Sequence, residues 1–171
     1  MFNACKLPLY LFVKTRMGTV SLATIISKLF EHYILSCISP LLGTTDNQFG
    51  FKPKHGTDMC IFLLKQTLSY YVNKDTPAFS AFLDASKAFD RTNHNLLFAK
   101  LIKRNVPMCI VRLLLSWYRQ QTMQGKWGTN YSSPFTVTNG VRQGGILSPY
   151  LFAVYLDELS IQLGSAKGDA L

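Results

Sequence analysis

The chain has 171 residues, the size of one domain and enough to bury a sizeable core. Lysine and arginine outnumber aspartate and glutamate by 18 to 9, giving a formal charge of +9 that favours a polyanionic partner, with nucleic acid ahead of an acidic membrane surface. Cys5, Cys37, Cys60 and Cys109 lie far apart, with no Cys-x-x-Cys pair and no adjacent histidines, which excludes a disulfide framework or a zinc site and predicts reduced, mostly buried thiols. No segment reads as membrane-spanning: the apolar run from Leu7 to Val13 is too short, and Lys14 and Arg16 interrupt its continuation. No small-residue cleavage site follows that run, so an intracellular location, cytoplasmic or nuclear, is expected.

In chain order, Leu22, Ile25, Ile26, Leu29, Phe30, Tyr33 and Ile34 recur at three- and four-residue steps and predict an amphipathic helix from Ser21 to Ser36, ended before Pro40. Gly43, Asp46, Asn47, Gly50 and Pro53 make the next stretch a loop. A second helix is predicted over Asp58 to Val72, followed by a turn from Asn73 to Pro77. The apolar run Ala78 to Leu83 has strand length and predicts a buried central strand. Periodic Leu, Ile and Val predict helices over Asn95 to Lys103 and Pro107 to Gln120, with Pro107 suited to a first turn. Met123 to Trp127 and Phe135 to Val141, around Gly128, Asn130 and Pro134, predict a β-hairpin. Ser148-Pro149 opens a last helix over Tyr150 to Leu163.

Two stretches carry candidate chemistry. The first is Phe82-Leu83-Asp84-Ala85-Ser86-Lys87-Ala88-Phe89-Asp90, which sets a carboxylate at the end of the strand-like run. Asp84 has two readings: a cap for the structure that follows, or a hard oxygen ligand for a metal ion held with substrate phosphates. The second is Gly140-Val141-Arg142-Gln143-Gly144-Gly145-Ile146-Leu147-Ser148-Pro149, where glycines permit close backbone approach to a ligand or serve as a flexible turn. No Ser-His-Asp order, P-loop or dinucleotide fingerprint competes with them, and His94 reads as part of a turn or helix cap.

Together these stretches resemble motifs A and B of the reverse transcriptase domain of non-LTR (LINE-type) retrotransposons: an apolar strand, Asp, then Ser-Lys-Ala-Phe-Asp, and Gly-Val-x-Gln-Gly-x-x-Leu-Ser-Pro before an apolar helix. Ser21 to Glu31 and Gln48-Phe49-Gly50-Phe51-Lys52-Pro53 are similar to the family's fingers motifs, so the resemblance runs from about Ser21 to about Leu163. It implies an α+β fold, the fingers and partial palm of a right-hand polymerase, with helices packed on a small antiparallel sheet. Residues 20–171 would form this partial domain. In residues 1–19, Met17, Gly18 and Thr19 depart from the family's aromatic, Arg and Pro, and an unrelated or poorly ordered segment is expected.

The resemblance further implies that Asp84 is the first metal-binding carboxylate, with the backbone carbonyl of Ala85 facing the same Mg2+. Phe89 matches the aromatic that lies under the sugar of the incoming deoxynucleotide and excludes a 2'-hydroxyl; read alone, it is a core aromatic. Gln143 and Gly144 match the pair that contacts incoming nucleotide and template. Lys52 lies where the family sets a basic residue against the triphosphate. Lys54 and Arg142 are candidate nucleic-acid contacts, Arg142 against phosphate, with a solvated surface position as the alternative for each. Lys100, Lys103, Arg104, Arg112, Arg119 and Lys126, interleaved with Trp117, Tyr118 and Trp127, could track a primer-template backbone, though most of those aromatics, as large rings at helical spacing, read as core. The implied partners are an RNA template, a DNA primer and deoxynucleoside triphosphates.

The family's motif C, an aromatic or Ala followed by Asp-Asp, is not matched, and Asp157-Glu158 correspond to a helical acidic pair instead. Two-metal phosphoryl transfer needs ions about 3.5–4 Å apart, each anchored. The expectation is therefore a fragment that does not polymerise alone, with a non-catalytic nucleic-acid-binding module as the alternative reading. An uncovered sheet edge predicts self-association.

Overall fold

The computed structural model describes residues 10–15, 18–22, 24–46, 48–78, 80, 82 and 87–165, the side chains of 10–15, 18–22 and 163–165 excepted. Two compact units divide the chain, Met1–Gly43 with Lys87–Tyr155, and Thr44–Ser86 with Leu156–Leu171. The architecture is the expected α+β class.

The first unit holds the sheet. Strands β1 (Tyr10–Thr15) and β2 (Gly18–Leu22) pair antiparallel with Val13 opposite Val20. Strand β3 (Thr122–Trp127) runs parallel to β1, with Leu11 beside Gln124. Strands β4 (Asn130–Tyr131) and β5 (Phe135–Thr136) both pair antiparallel with β3, as the predicted hairpin requires. Trp127 and Asn130 enclose a two-residue loop whose first position is Gly128 at φ 60°, where a side chain would be strained. The β1–β3 pairing makes the sheet mixed rather than wholly antiparallel, and it brings Tyr10–Thr15, from the segment set apart in the sequence, into the sheet.

Helix α1 (Ile25–Ile38) starts at Thr24, whose hydroxyl accepts the Ser27 N–H at 3.3 Å. Residues 21 and 22, predicted helical, belong to β2. The predicted apolar face is also rotated. Ser27, Glu31, Ile34, Leu35 and Ile38 point inward, while Ile25, Ile26, Leu29 and Tyr33 are exposed. A polar pair takes the place of the Ile26–Leu29–Tyr33 stripe because Glu31 finds charged and backbone partners inside. Pro40 lies in the short 3-10 turn Ser39–Leu41 that ends the helix.

Helices α3 (His94–Lys103) and α4 (Met108–Arg119) pack on each other through His94, Phe98 and Tyr118, whose rings meet edge to face. The Asn93 side chain caps α3 by accepting from Leu96 N–H at 3.2 Å. At its other end Asn105 takes φ 59°, its N–H reaches Ile102 O at 2.9 Å, and Val106 N–H reaches Leu101 O at 3.1 Å. This is a Schellman closure, with buried Leu101 and Val106 as its apolar contact. Helix α5 (Ser148–Ser165) completes the first unit with buried Leu151, Phe152, Ala153 and Val154. The core forms around Trp117, Tyr118, Leu97, Leu101, Leu114 and Leu151. Trp117 and Tyr118 are core residues, as expected of large rings at helical spacing.

The second unit contains α2 (Thr57–Val72), the loop before it, and the C-terminal end of α5. Asp157 is buried and accepts from both the N–H and the hydroxyl of Thr45, at 2.8 and 3.0 Å, which is a structural role for that acidic position. The predicted strand over 78–83 falls partly outside the described residues. Ala78, Ser80 and Phe82 are not in a strand and Phe82 is 82 % exposed, which corrects the expectation of a buried strand at that position. An apolar run reads as a buried strand only if a neighbour covers it, and periodicity does not supply the neighbour. Cys37, Cys60 and Cys109 are free and exposed, not buried as expected, because each lies on a helix face that nothing in its unit covers. No helix among the described residues is long and apolar enough to cross a membrane.

Candidate functional site

The two motif-bearing stretches meet in the first unit through their backbones. Gly140 N–H donates to Thr92 O at 2.7 Å, and Val141 N–H donates to Phe89 O at 2.8 Å. His94 closes the junction from below: its Nε2 lies 2.7 Å from Gly140 O, and since a carbonyl only accepts, that nitrogen carries the proton. Gly140 has φ 94°, and a Cβ on it would come within 2.9 Å of Asp90 Cα, Asp90 O and Phe89 O. The approach is thus open to glycine alone. Phe89 is half-buried, its ring 4.6 Å from that of Phe152 on α5.

Beyond Val141 the chain turns sharply. Gly145 N–H bonds Arg142 O at 3.1 Å, and Gly144, third residue of this turn, has φ 94°. A positive φ at the third position is the mark of a type II turn, which favours glycine there. The turn puts Gln143 at its exposed tip, with Gly144 beside it. Gln143 and Phe89 are thereby held on one scaffold: Phe89 O is bonded to Val141, two residues from the tip.

Arg142 faces the other way. It is 3 % exposed, its Nη2 lies 2.9 Å from Glu31 Oε1, and its guanidinium stacks 4.3 Å from the centre of the Trp117 ring. The expected contact of Arg142 with nucleic-acid phosphate is corrected accordingly, because its charge is already neutralised inside the protein by Glu31. Glu31 and His94 are the residues sequence reasoning passed over as site-builders. The one available signal was the spacing Ser27, Glu31, Ile34, Leu35, Ile38, a polar pair continuing an apolar helical face.

Beside the turn lies a cavity of about 650 Å3, bounded by Gln143 and Asp90 on one side and by the hairpin's Met123, Trp127, Tyr131 and Phe135 on the other. Trp127 is 71 % exposed, and Lys126 Nζ sits 5.3 Å from the Tyr131 ring centre. The cavity therefore has aromatic walls, a cation at its rim and an amide at its mouth.

The remaining candidates belong to the second unit. Lys52 Nζ is 2.9 Å from Asp46 Oδ1 and donates to the carbonyls of Thr44 and Thr45, both at 3.3 Å. The Lys52 ammonium, by hydrogen bond and by charge, holds the Asp46 carboxyl below the usual carboxylate range. Lys54 is exposed with φ 61°. His55 lies against Phe49 at a tilt of 57°, with ring centres 5.7 Å apart. Asp84 and Ala85, the candidate metal ligands, lie outside the described residues. Among the described residues no three His, Cys, Asp or Glu side chains cluster so as to hold a metal ion.

The two motif-bearing stretches are thus locked together by backbone hydrogen bonds in a basic α+β chain of the reverse-transcriptase-like nucleotidyltransferase class. The chain belongs to the reverse transcriptase (RNA-dependent DNA polymerase) family, which matches it over residues 12–168. It is 30 % identical over 145 residues to a probable RNA-directed DNA polymerase from transposon BS of Drosophila melanogaster. It is 32 % identical over 145 residues to the probable RNA-directed DNA polymerase from transposon X-element of the same species. With the RNA-directed DNA polymerase from mobile element jockey, also of Drosophila melanogaster, it shares 31 % identity over 140 residues. These matches cover 81 to 82 % of this chain but only 15 to 16 % of the relatives.

Proposed function

We propose that the chain forms the incoming-nucleotide side of an RNA-directed DNA polymerase of a LINE-type retrotransposon, receiving deoxynucleoside triphosphates against a DNA primer on an RNA template. One observation carries the proposal: the Phe89–Thr92 turn and the Gly140–Val141 segment are bonded backbone to backbone, so the aromatic and the Gln143 tip keep a fixed relation. In this reading Phe89 lies beneath the sugar and Gln143 with Gly144 meets the base pair being formed. Lys52 and Lys54 serve the triphosphate, Lys52 by exchanging its exposed partner Asp46 for a more highly charged one. Asp84, with the Ala85 carbonyl, is the proposed holder of Mg2+, an ion bound by one or two carboxylates together with substrate phosphates. When bound, that ion would neutralise charge on the transferring phosphoryl group.

The 171 residues contain no adjacent Asp-Asp pair. A second ion has no matched carboxylate in them, so we propose nucleotide binding, without primer extension, for this chain alone. The test is isothermal titration of the chain with dATP and with ATP, each with Mg2+. Tighter binding of dATP, by roughly tenfold, is expected, with the preference lost in Phe89→Ala. Equal affinity for the two nucleotides, or a preference unchanged in Phe89→Ala, defeats the reading.

A second reading, binding of nucleic acid without chemistry, is favoured by the charge of +9 and by Trp127 and Tyr131 standing exposed beside Lys126. Exposed aromatics next to a cation offer stacking surfaces that accept any base.

A further inference from the structure

Glu31 is 1 % exposed, on a helix whose exposed face carries Ile25, Ile26, Leu29 and Tyr33. Burying a carboxylate carries a desolvation penalty that charged and hydrogen-bonded partners must offset. Oε1 lies 2.9 Å from Arg142 Nη2, and Oε2 accepts the Leu147 N–H at 3.0 Å. One side chain thus holds both ends of the segment 142–147, whose middle is the turn that exposes Gln143. Its carboxylate also fills the space beneath the turn, since a Cβ on Gly145 would approach Oε2 to 3.1 Å and Ser148 Oγ to 2.6 Å. Arg142 is fixed from two further sides, by the Trp117 ring at 4.3 Å and by Ser27 Oγ at 3.3 Å from Nη1.

Stability alone does not account for this arrangement, because buried ion pairs replaced by packed apolar side chains often leave a protein equally stable. Geometry does. Leu147 N–H stands at the start of α5, where a negative group meets the helix's free N–H donors, so the carboxylate ties the helix start to the turn. We infer that Glu31 is a positioning residue: it fixes the 142–147 turn and thereby the place at which Gln143 is presented to a nucleotide. The identity of the ligand rests on the proposed function. The control of the turn does not.

Amide hydrogen exchange of the full chain tests the inference, comparing the native protein with Glu31→Ala and Glu31→Gln. Exchange at Gly145 and Leu147 rises at least about tenfold in Glu31→Ala while α3 amides keep their native rates. Glu31→Gln gives a smaller rise, because its amide oxygen still accepts from Leu147. Unchanged exchange at Gly145 and Leu147 would overturn the inference. So would an equal acceleration throughout α3, α4 and the turn, which is what a purely stabilising role produces. If Glu31→Ala does not fold, the local or global pattern in Glu31→Gln decides.

The second readout is dATP affinity with Mg2+ at a temperature where every variant is folded, with about tenfold weakening expected for Glu31→Ala and less for Glu31→Gln. If affinity holds while the turn loosens, Glu31 does not position the ligand contact and that part of the inference fails. Absence of dATP binding by the native chain removes the nucleotide reading instead, and the exchange comparison still decides whether Glu31 sets the turn.

Discussion

Gly140 meets the most severe steric demand at the junction of the two loops. Its φ of 94° and the three backbone atoms within 2.9 Å of a would-be Cβ act together, and none of those atoms belongs to a side chain that could swing away. Gly140→Ala is expected to lower stability by about 3 kcal/mol and to separate Val141 from Phe89, as measured by urea unfolding. Gly128, also at positive φ, has open space around it, so alanine there should cost only the conformational strain, about 1–2 kcal/mol. The Gly128→Ala comparison isolates the part of the cost that comes from close approach. Arg142 and Gln143 make a similar contrast between neighbours: the turn buries the charged residue and exposes the neutral one, and only the exposed one is free to meet a ligand.

Among the elements, α3 is closed at both ends by its own sequence, which gives α4 and the junction a firm base. The Asn93 cap and the Asn105 closure satisfy donors and acceptors that a helix of ten residues would otherwise leave open. Asn105→Val puts a β-branched side chain at φ 59° and is expected to cost about 1–2 kcal/mol, read as a lowered melting temperature. His94, the first residue of this helix, carries the effect to the site through its bond to Gly140 O. Helix α2 differs in kind: none of its residues is buried, and Ile61, Phe62, Leu63 and Leu64 are exposed. Its periodicity was sufficient to predict the helix but contains no statement about what covers it.

At the scale of the molecule, two properties govern behaviour in solution. The charge of +9 predicts binding to a primer-template duplex that weakens steeply with salt, by at least tenfold between about 50 and 200 mM, in a gel-shift titration. Salt-independent retention would remove phosphate contact as its basis. The exposed Ile25, Ile26, Leu29 and Tyr33 along α1 form an apolar strip, and β2 ends the strand order of the sheet. Concentration-dependent association is the expected result in size-exclusion chromatography, and a monomer at all concentrations would contradict it.

The helices over 57–72, 94–103 and 148–165 and the hairpin were legible in the residues, because caps, periodicity and turn glycines act within a few positions of themselves, whereas only the resemblance joined Phe89 and Gln143 as one candidate site. Tertiary structure decided the rest. It rotated α1 so that Ser27 and Glu31 point inward, turned Arg142 away from solvent, and set β1 beside β3 in parallel. Each of these depends on a partner distant in sequence, 111 residues away for Glu31 and Arg142 by their numbers. A periodic pattern states which residues can share a face. Whether that face is buried is settled by the free energy of the group it meets, and for a carboxylate that group is a guanidinium found only when the chain has folded.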